Sequence, residues 1–527
     1  MNFKRRTMAL LVAAMLIVAA LTGCGGSTGS AASGSGAGGD SGTPRTAFHM
    51  GMNAEPTSMD PAECKDLITR IFIMQVYDPL LTFDWQTQEY VPAIASDWEV
   101  NEDSSEVLFT IRDDMKFHNG DTLTVDDVMF SLERSLASSY LAQLSGSIDH
   151  FEKVDDSHIK VVLKYGYAPI LDVLSNPSWS IVSKRAVEEA EAEGKDFGRD
   201  VACGTGAYKL TNWQSGASLS FEAFDEYWGG APYFKTVEAT LITDQSAGAI
   251  ALEEGTLDYY YGLQNNDLLH LADNPDIAIY ECDGGVGLFD ITFNCTDGIF
   301  TDVRLRKAVA LALNRDDLLL AGREGMGVVT DCFCATAASG YDPDFEWYDQ
   351  NLEEAKPLLA EAGYPDGFDV VFTQDSSKTY MTAAEVMQGQ LAQIGINVTF
   401  DKLERATWLD TVSSNRQFVA SLRMTNMEVL DADYLLTRRL TTDYIGGGNN
   451  YAGYSNPEFD ALVAEARTLS DSAARQEIYD QCYEIIKEDV PVIPLYTDAN
   501  SIAARADIKG FFAHPLYRIP WSGLYIE

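Results

Sequence analysis

Residues 91–134 read VPAIASDWEVNEDSSEVLFTIRDDMKFHNGDTLTVDDVMFSLER, and one uninterrupted run carries two backbone periods. Val107-Leu108-Phe109-Thr110-Ile111-Arg112 is a strand-forming stretch of β-branched and aromatic residues. A short extended piece around Lys116-Phe117 then leads into a turn at Asn119-Gly120. After the turn, Val125-Asp126-Asp127-Val128-Met129-Phe130-Ser131-Leu132 has the pattern of an amphipathic helix, and Thr124 with Asp127 three residues on approximates its capping box. Outward from this stretch the alternation repeats. Helices are predicted over 302–314, 352–362, 382–394, 457–469 and 473–488, with strands at 368–373 and 397–400 between them. The chain is therefore α/β, with a more strand-rich portion between about 80 and 240. It has no internal repeat and no second low-complexity linker, so its domains are expected to pack against one another.

The N-terminus is of a different kind. Lys4, Arg5 and Arg6 precede an apolar run from Met8 to Leu21, too short for a bilayer that needs about 20 apolar residues, and it reads as a secretory signal. Residues 25–42 are nearly pure Gly, Ser and Ala, without the apolar content that offsets the entropy of ordering, and are expected to form a flexible tether with an r.m.s. reach of roughly 23 Å. That tether contains pattern matches to a nucleophile elbow (25–29), a dinucleotide fingerprint (34–39) and a serine-protease tetrapeptide (39–42). No strand precedes them and no helix follows, so the geometry behind those chemistries is missing.

What remains after the first 45 residues is enough for two or three domains. The 80 acidic residues against 37 basic give a formal charge of −43. Such a body is repelled by nucleic acid and by anionic lipid, so nucleic-acid partners are excluded and a basic patch cannot hold it to a membrane. Seven cysteines follow Cys24, an odd number that cannot pair completely, and buried or partly oxidised thiols are expected. Cys332-Phe333-Cys334 has no second Cys pair to complete a zinc site. None of the six histidines has another within four residues. Adjacent acids such as Asp126-Asp127 and Asp316-Asp317 point about 100° apart on a helix and read as solvated helix ends. No catalytic or metal constellation is visible, no cofactor is expected, and binding is favoured over catalysis.

Nine segments in order resemble the solute-binding lipoproteins of ATP-binding cassette importers, family 5, the group of oligopeptide-, dipeptide- and nickel-binding proteins. They are EPTSMDP (55–61), YDPLL (77–81), the opening stretch (91–134), GTGAYKLTNW (204–213), FTDVRLRKAVALALNRDDLL (300–319), EEAKPLLAEAGYPDGF (353–368), LAQIGINV (391–398), YSNPEFDALV (454–463) and EDVPVIPLY (488–496). Leu21-Thr22-Gly23-Cys24 likewise resembles a lipobox, which implies cleavage after residue 23 and lipid, with acyl chains such as palmitate, on Cys24. The resemblance implies a periplasmic-binding-protein-like type II fold: two lobes with a hinge, plus an extra domain inserted in the first lobe. The expected partition is signal 1–23, tether 24–45, lobe one 46–78, 200–290 and 498–527, inserted domain 79–199, and lobe two 291–497. It also implies an extracytoplasmic, lipid-anchored monomer, at the cell surface or in the periplasm, that captures peptides and delivers them to a permease and ATPase complex.

In peptide-binding relatives an acid three residues after a Trp pairs the peptide amine, within a pattern like G-W-x-x-D-x-x-D-P. Here Glu428 falls on that acid and Asp431 on the second, while Thr425 replaces the Trp and Ala432 the Pro. Glu428 is therefore either the amine anchor or a solvated loop acid. Asp78 matches a place where relatives put an acid near the ligand, and Arg423 lies near a carboxylate-facing arginine. The resemblance puts Tyr259, Tyr260 and Tyr261 where the family strand approaches the cleft, and alternation along a strand sets Tyr259 and Tyr261 on one face and Tyr260 on the other, with a core role expected for at least one of them. The alternatives are a metal chelate, sugar or other small solute in place of a peptide, a surface hydrolase, or a sensor or adhesion module on the same fold.

Overall fold

The computed structural model describes residues 45–282, 284–446 and 449–527. The signal, Cys24 and the Gly/Ser tether lie outside them. The opening stretch forms strands Ala95–Val100 and Glu106–Ile111, paired antiparallel and extended by His158–Leu163 and Ile148–Lys153 into a four-stranded sheet. Val107, Phe109 and Ile111 alternate into the core, as a half-buried strand requires. The turn falls at Gly120, whose φ of +88° is left-handed and costs glycine nothing. The helix is Val125–Ala137. Both halves of its capping box are made: Asp127 N–H donates to Thr124 Oγ1 at 3.3 Å and Thr124 N–H to Asp127 Oδ2 at 3.0 Å. Such a cap is worth about 1 kcal/mol.

Two larger sheets carry the rest. One has seven strands in the order Ile277–Tyr280, Ile502–Arg505, Tyr259–Tyr261, Ala47–Met52, Thr236–Leu241, Ser218–Ala223, Tyr208–Gln214. The other has six: Gly327–Val329, Val492–Asp498, Gly287–Phe293, Ala420–Asn426, Phe368–Asp375, Ile396–Leu403. The chain crosses between them twice, from Tyr280 to Gly287 and from Asp498 back to Ile502. The crossings touch, because Gly287 N–H donates to Asp498 Oδ1 at 2.9 Å. This is the two-lobed type II architecture, with the four-stranded unit inserted in the first lobe.

Local signals place the remaining helices near their expected positions. Val303–Ala312, Leu352–Glu361, Pro457–Ala466 and Ser472–Asp489 each begin after an Asp or Asn whose side chain accepts a first-turn N–H. The helix expected over 382–394 starts earlier and runs Lys378–Ala392. Long-range contacts then join the quoted segments. Asp60 of EPTSMDP is buried and takes both arms of Arg134 from the end of the opening stretch, at 3.0 and 2.5 Å. Gly204 of GTGAYKLTNW lies so close to Val76 and Tyr77 that a Cβ there would strike both. Trp521, from the last residues, packs its ring against Phe48, Phe72, Tyr208 and Phe221, and its backbone N–H donates to Gln75 Oε1. Truncating such a buried aromatic costs about 3–5 kcal/mol.

Candidate functional site

A cavity of about 1040 Å³ opens between the inserted unit and the six-stranded side. That is the upper end of the size of small-solute sites. Trp85, Tyr90 and Asp172 line one wall; Ser339, Asp431 and Arg475 line the other. Its charged groups are therefore few and placed by both halves.

Asp431 is the member of the expected set that lines this cavity. Its carboxylate accepts from Tyr479 Oη at 2.8 Å and from the Asp433 N–H at 2.9 Å, and is ion-paired with Arg475. Burial pushes its pKa up while Arg475 pulls it back. Across the cavity stands Asp172, in the first turn of the helix Ile170–Leu174. Burial, with the Asp431 charge adding to it, raises Asp172 to about 7 against the pull of the Tyr90 hydroxyl.

Glu428 lies just past the strand Ala420–Asn426, on the wall of a small adjoining space shared with Phe83, Asp172 and Arg518. It is not a solvated loop acid. Arg70 Nη2 donates to Glu428 Oε2 at 3.0 Å, with side chains 9% and 29% exposed, and Arg70 Nε reaches Ser178 Oγ at 3.4 Å. Arg70 belongs to the helix Leu67–Val76, which stacks Phe72 on Phe221 of the seven-stranded sheet. The ion pair thus bridges the cleft, and a peptide amine at Glu428 has to share it with a guanidinium of the chain itself.

The other expected residues lie apart. Asp78 is buried and accepts from Thr205 Oγ1 at 2.7 Å, Trp228 Nε1 at 3.1 Å and Tyr227 Oη at 3.3 Å. Burial raises its pKa, and those three donors oppose the rise. It lines a second cavity of about 530 Å³. Arg423 is buried over Tyr451 and Trp408, 4.5 and 5.8 Å from their ring centres, and donates to Thr425 Oγ1. Burial, with Arg439 beside it, lowers its pKa to about 10. Arg439 itself is locked to Asp290 at 3.0 Å, both fully buried. Tyr259 and Tyr261 do share a face, packing on Phe511 and Tyr517 at 5.6 and 5.3 Å. Tyr260 turns the other way and donates to the Ile242 carbonyl. Together the three tyrosines line a separate space of about 220 Å³. Cys332 and Cys334 are buried thiols whose pKa values burial pushes up. Among the described residues no group of three His, Cys, Asp or Glu is placed to hold a metal ion.

Sequence reasoning passed over Arg70, Asp172 and Arg518. Each is a single charge inside an apolar run, LITRIFIM, PILDVL and PLYRIPW. A charged side chain that must be buried needs a partner or a ligand, and that signal was present at all three.

The comparisons agree with this geometry. The model of bacterial extracellular solute-binding proteins, family 5 (middle), matches residues 89–447. The oligopeptide-binding protein AppA of Bacillus subtilis is 27% identical over 98% of each chain. HbpA2 from Haemophilus parasuis superposes with a TM-score of 0.84 at 26% identity, covering 91% of this chain and 100% of its own. The periplasmic binding protein DppA from Helicobacter pylori, in complex with the peptide STSA, gives 0.76 at 25%, covering 92% and 98%. With more than half of its length matched by the family model and its two lobes in that arrangement, the chain belongs to the bacterial extracellular solute-binding proteins, family 5.

Proposed function

We propose that the chain captures peptides between its two lobes and hands them to the permease of an ABC importer. The observation that carries this reading is the cavity of about 1040 Å³, walled by both halves of a molecule joined through only two adjacent crossings. Closing about such crossings excludes water from a bound solute, and opening releases it. The partition that goes with this reading is lobe one 46–78, 200–290 and 498–527, insertion 79–199 and lobe two 291–497. Asp431 faces the solute from the wall of this cavity and Glu428 from the small space adjoining it, while Asp78, Arg423, Tyr259 and Tyr261 lie outside the cavity lining and support the lobes around it. The body is a monomer held on the extracytoplasmic face by lipid on Cys24, since its charge of −43 leaves no electrostatic route to an anionic membrane.

One observation favours a second reading. Glu428 is already paired with Arg70, so a solute without a free amine, such as a metal chelate or a sugar, fits the cavity without displacing an ion pair. Mass spectrometry of the solute that co-purifies with the protein separates the two. Peptide masses are expected; a single non-peptide mass overturns the peptide reading.

A further inference from the structure

Arg518 lines both the space beside Glu428 and the cavity of about 530 Å³. That small space shares Phe83, Asp172 and Leu430 with the larger cavity and Phe83, Ser175 and His514 with the one of about 530 Å³, so Arg518 stands on the wall of the passage between them. Among the described residues its guanidinium makes no hydrogen bond and no ion pair. Glu428 and Asp172 are near enough to favour its charge and Arg70 near enough to oppose it, but none bonds to it; burial lowers its pKa to about 10. A guanidinium has five donors in a planar fork, and here they are only partly buried and open onto the space they line, so they are free to take a planar anion.

The turn that presents Arg518 is tightly held. Tyr517 has φ +53°, a left-handed conformation rare for an aromatic residue. Its N–H donates to the His514 carbonyl at 2.8 Å, the Leu516 N–H donates to His514 Nδ1 at 2.9 Å, and the Asn500 amide holds the Pro515 carbonyl. The other charges on this wall are committed. Asp78 is bound by its three donors, Asp84 accepts from the Gln86 and Thr87 N–H groups, and burial keeps His514 neutral. Around them are the aromatic side chains of Tyr227, Trp228, Phe511 and Phe512.

We infer that Arg518 receives a carboxylate of the captured solute at this passage, with an apolar or aromatic group of the solute in the cavity beyond. The inference rests on the reading of the chain as a solute carrier and assigns the class of solute: a carboxylate flanked by an apolar group. A peptide supplies it from its C-terminus or from an acidic side chain.

Titration calorimetry on the purified full chain tests this with 3-phenylpropionate and 3-phenylpropionamide. The acid is expected to bind and the amide not to. Arg518→Met is expected to weaken binding of the acid about tenfold to a hundredfold, with Arg518→Lys between. Because Arg518 holds no partner, the Met variant should melt no lower than the parent, which a structural role would not allow. Failure of the acid to bind, equal binding of acid and amide, or wild-type affinity in Arg518→Met overturns the inference. The peptides Ala-Ala-Phe-Ala and Ala-Glu-Phe-Ala, each free or C-terminally amidated, identify the source. Loss on amidation of both assigns the terminal carboxylate, and binding of the amidated Glu peptide assigns the side chain. If no peptide binds while 3-phenylpropionate does, the peptide reading falls and the Arg518 site stands.

Discussion

The Arg70–Glu428 pair is the contact whose removal reports most directly on the cleft. At 3.0 Å the raw attraction of two unit charges is about 5–6 kcal/mol at an effective dielectric constant of about 20. Desolvation offsets most of it. Exposed pairs retain about 0–1 kcal/mol, while breaking a buried pair costs about 3–5. With Arg70 at 9% and Glu428 at 29% exposure, the pair lies between these limits, and a coupling of about 1–3 kcal/mol is expected. Glu428→Gln nearly preserves shape and leaves Arg70 facing a neutral acceptor. Arg70→Met removes the cation and also the weak bond to Ser178. Urea unfolding of both single variants and the double variant isolates the coupling, since the Ser178 contribution cancels in the cycle. Small-angle scattering on the same proteins without solute should give a larger radius of gyration for Glu428→Gln, because the pair joins the two sides of the cleft. A coupling below about 0.5 kcal/mol, together with an unchanged radius, would refute the claim that the ion pair bridges the cleft in solution. An N-acetylated peptide bound by Glu428→Gln as tightly as the free-amine form, where wild type prefers the latter, would instead show that the amine displaces Arg70 and takes the acid itself.

Three further outcomes are expected. Gly285→Ala should destabilise the fold by about 1–3 kcal/mol and alter solute-induced compaction, because a Cβ at Gly285 collides with the Asp498 backbone where the two crossings touch; melting temperature and scattering read the two effects. Asp172 has a folded pKa of about 7 against about 3.9 when unfolded, so between those values the unfolded chain binds fewer protons and stability falls as pH rises. Asp172→Asn should match wild type near pH 4 and exceed it at pH 8 by on the order of 1–3 kcal/mol after allowance for partial exposure; parallel melting curves across that range would contradict the assignment. Cys24→Ala should abolish incorporation of radiolabelled palmitate, and equal labelling of both proteins would leave the lipid anchor without support.

The limits of reading this chain from its residues are physical ones. The strand Glu106–Ile111 and the helix Val125–Ala137 are legible because their causes are local: a period of two, then a Thr and an Asp three residues apart closing a cap. Gly204 is quoted in a motif but owes its identity to Val76 and Tyr77, which no local pattern names. The site is harder still, because the charges that define it find partners far along the chain. Arg439 meets Asp290 across 149 positions and Arg70 meets Glu428 across 358. A motif match carries over a backbone position, and it put Glu428 beside the cleft. Whether that carboxylate is open to a solute depends on the residue opposite it, and Arg70 sits in LITRIFIM with nothing in its own neighbourhood to say where it points. The unpaired Arg518 shows the same logic from the other side. Arg70 needs no solute because Glu428 answers it, whereas Arg518, in an equally apolar run, has no such answer within the described chain, so the partner it lacks is expected to arrive with the solute.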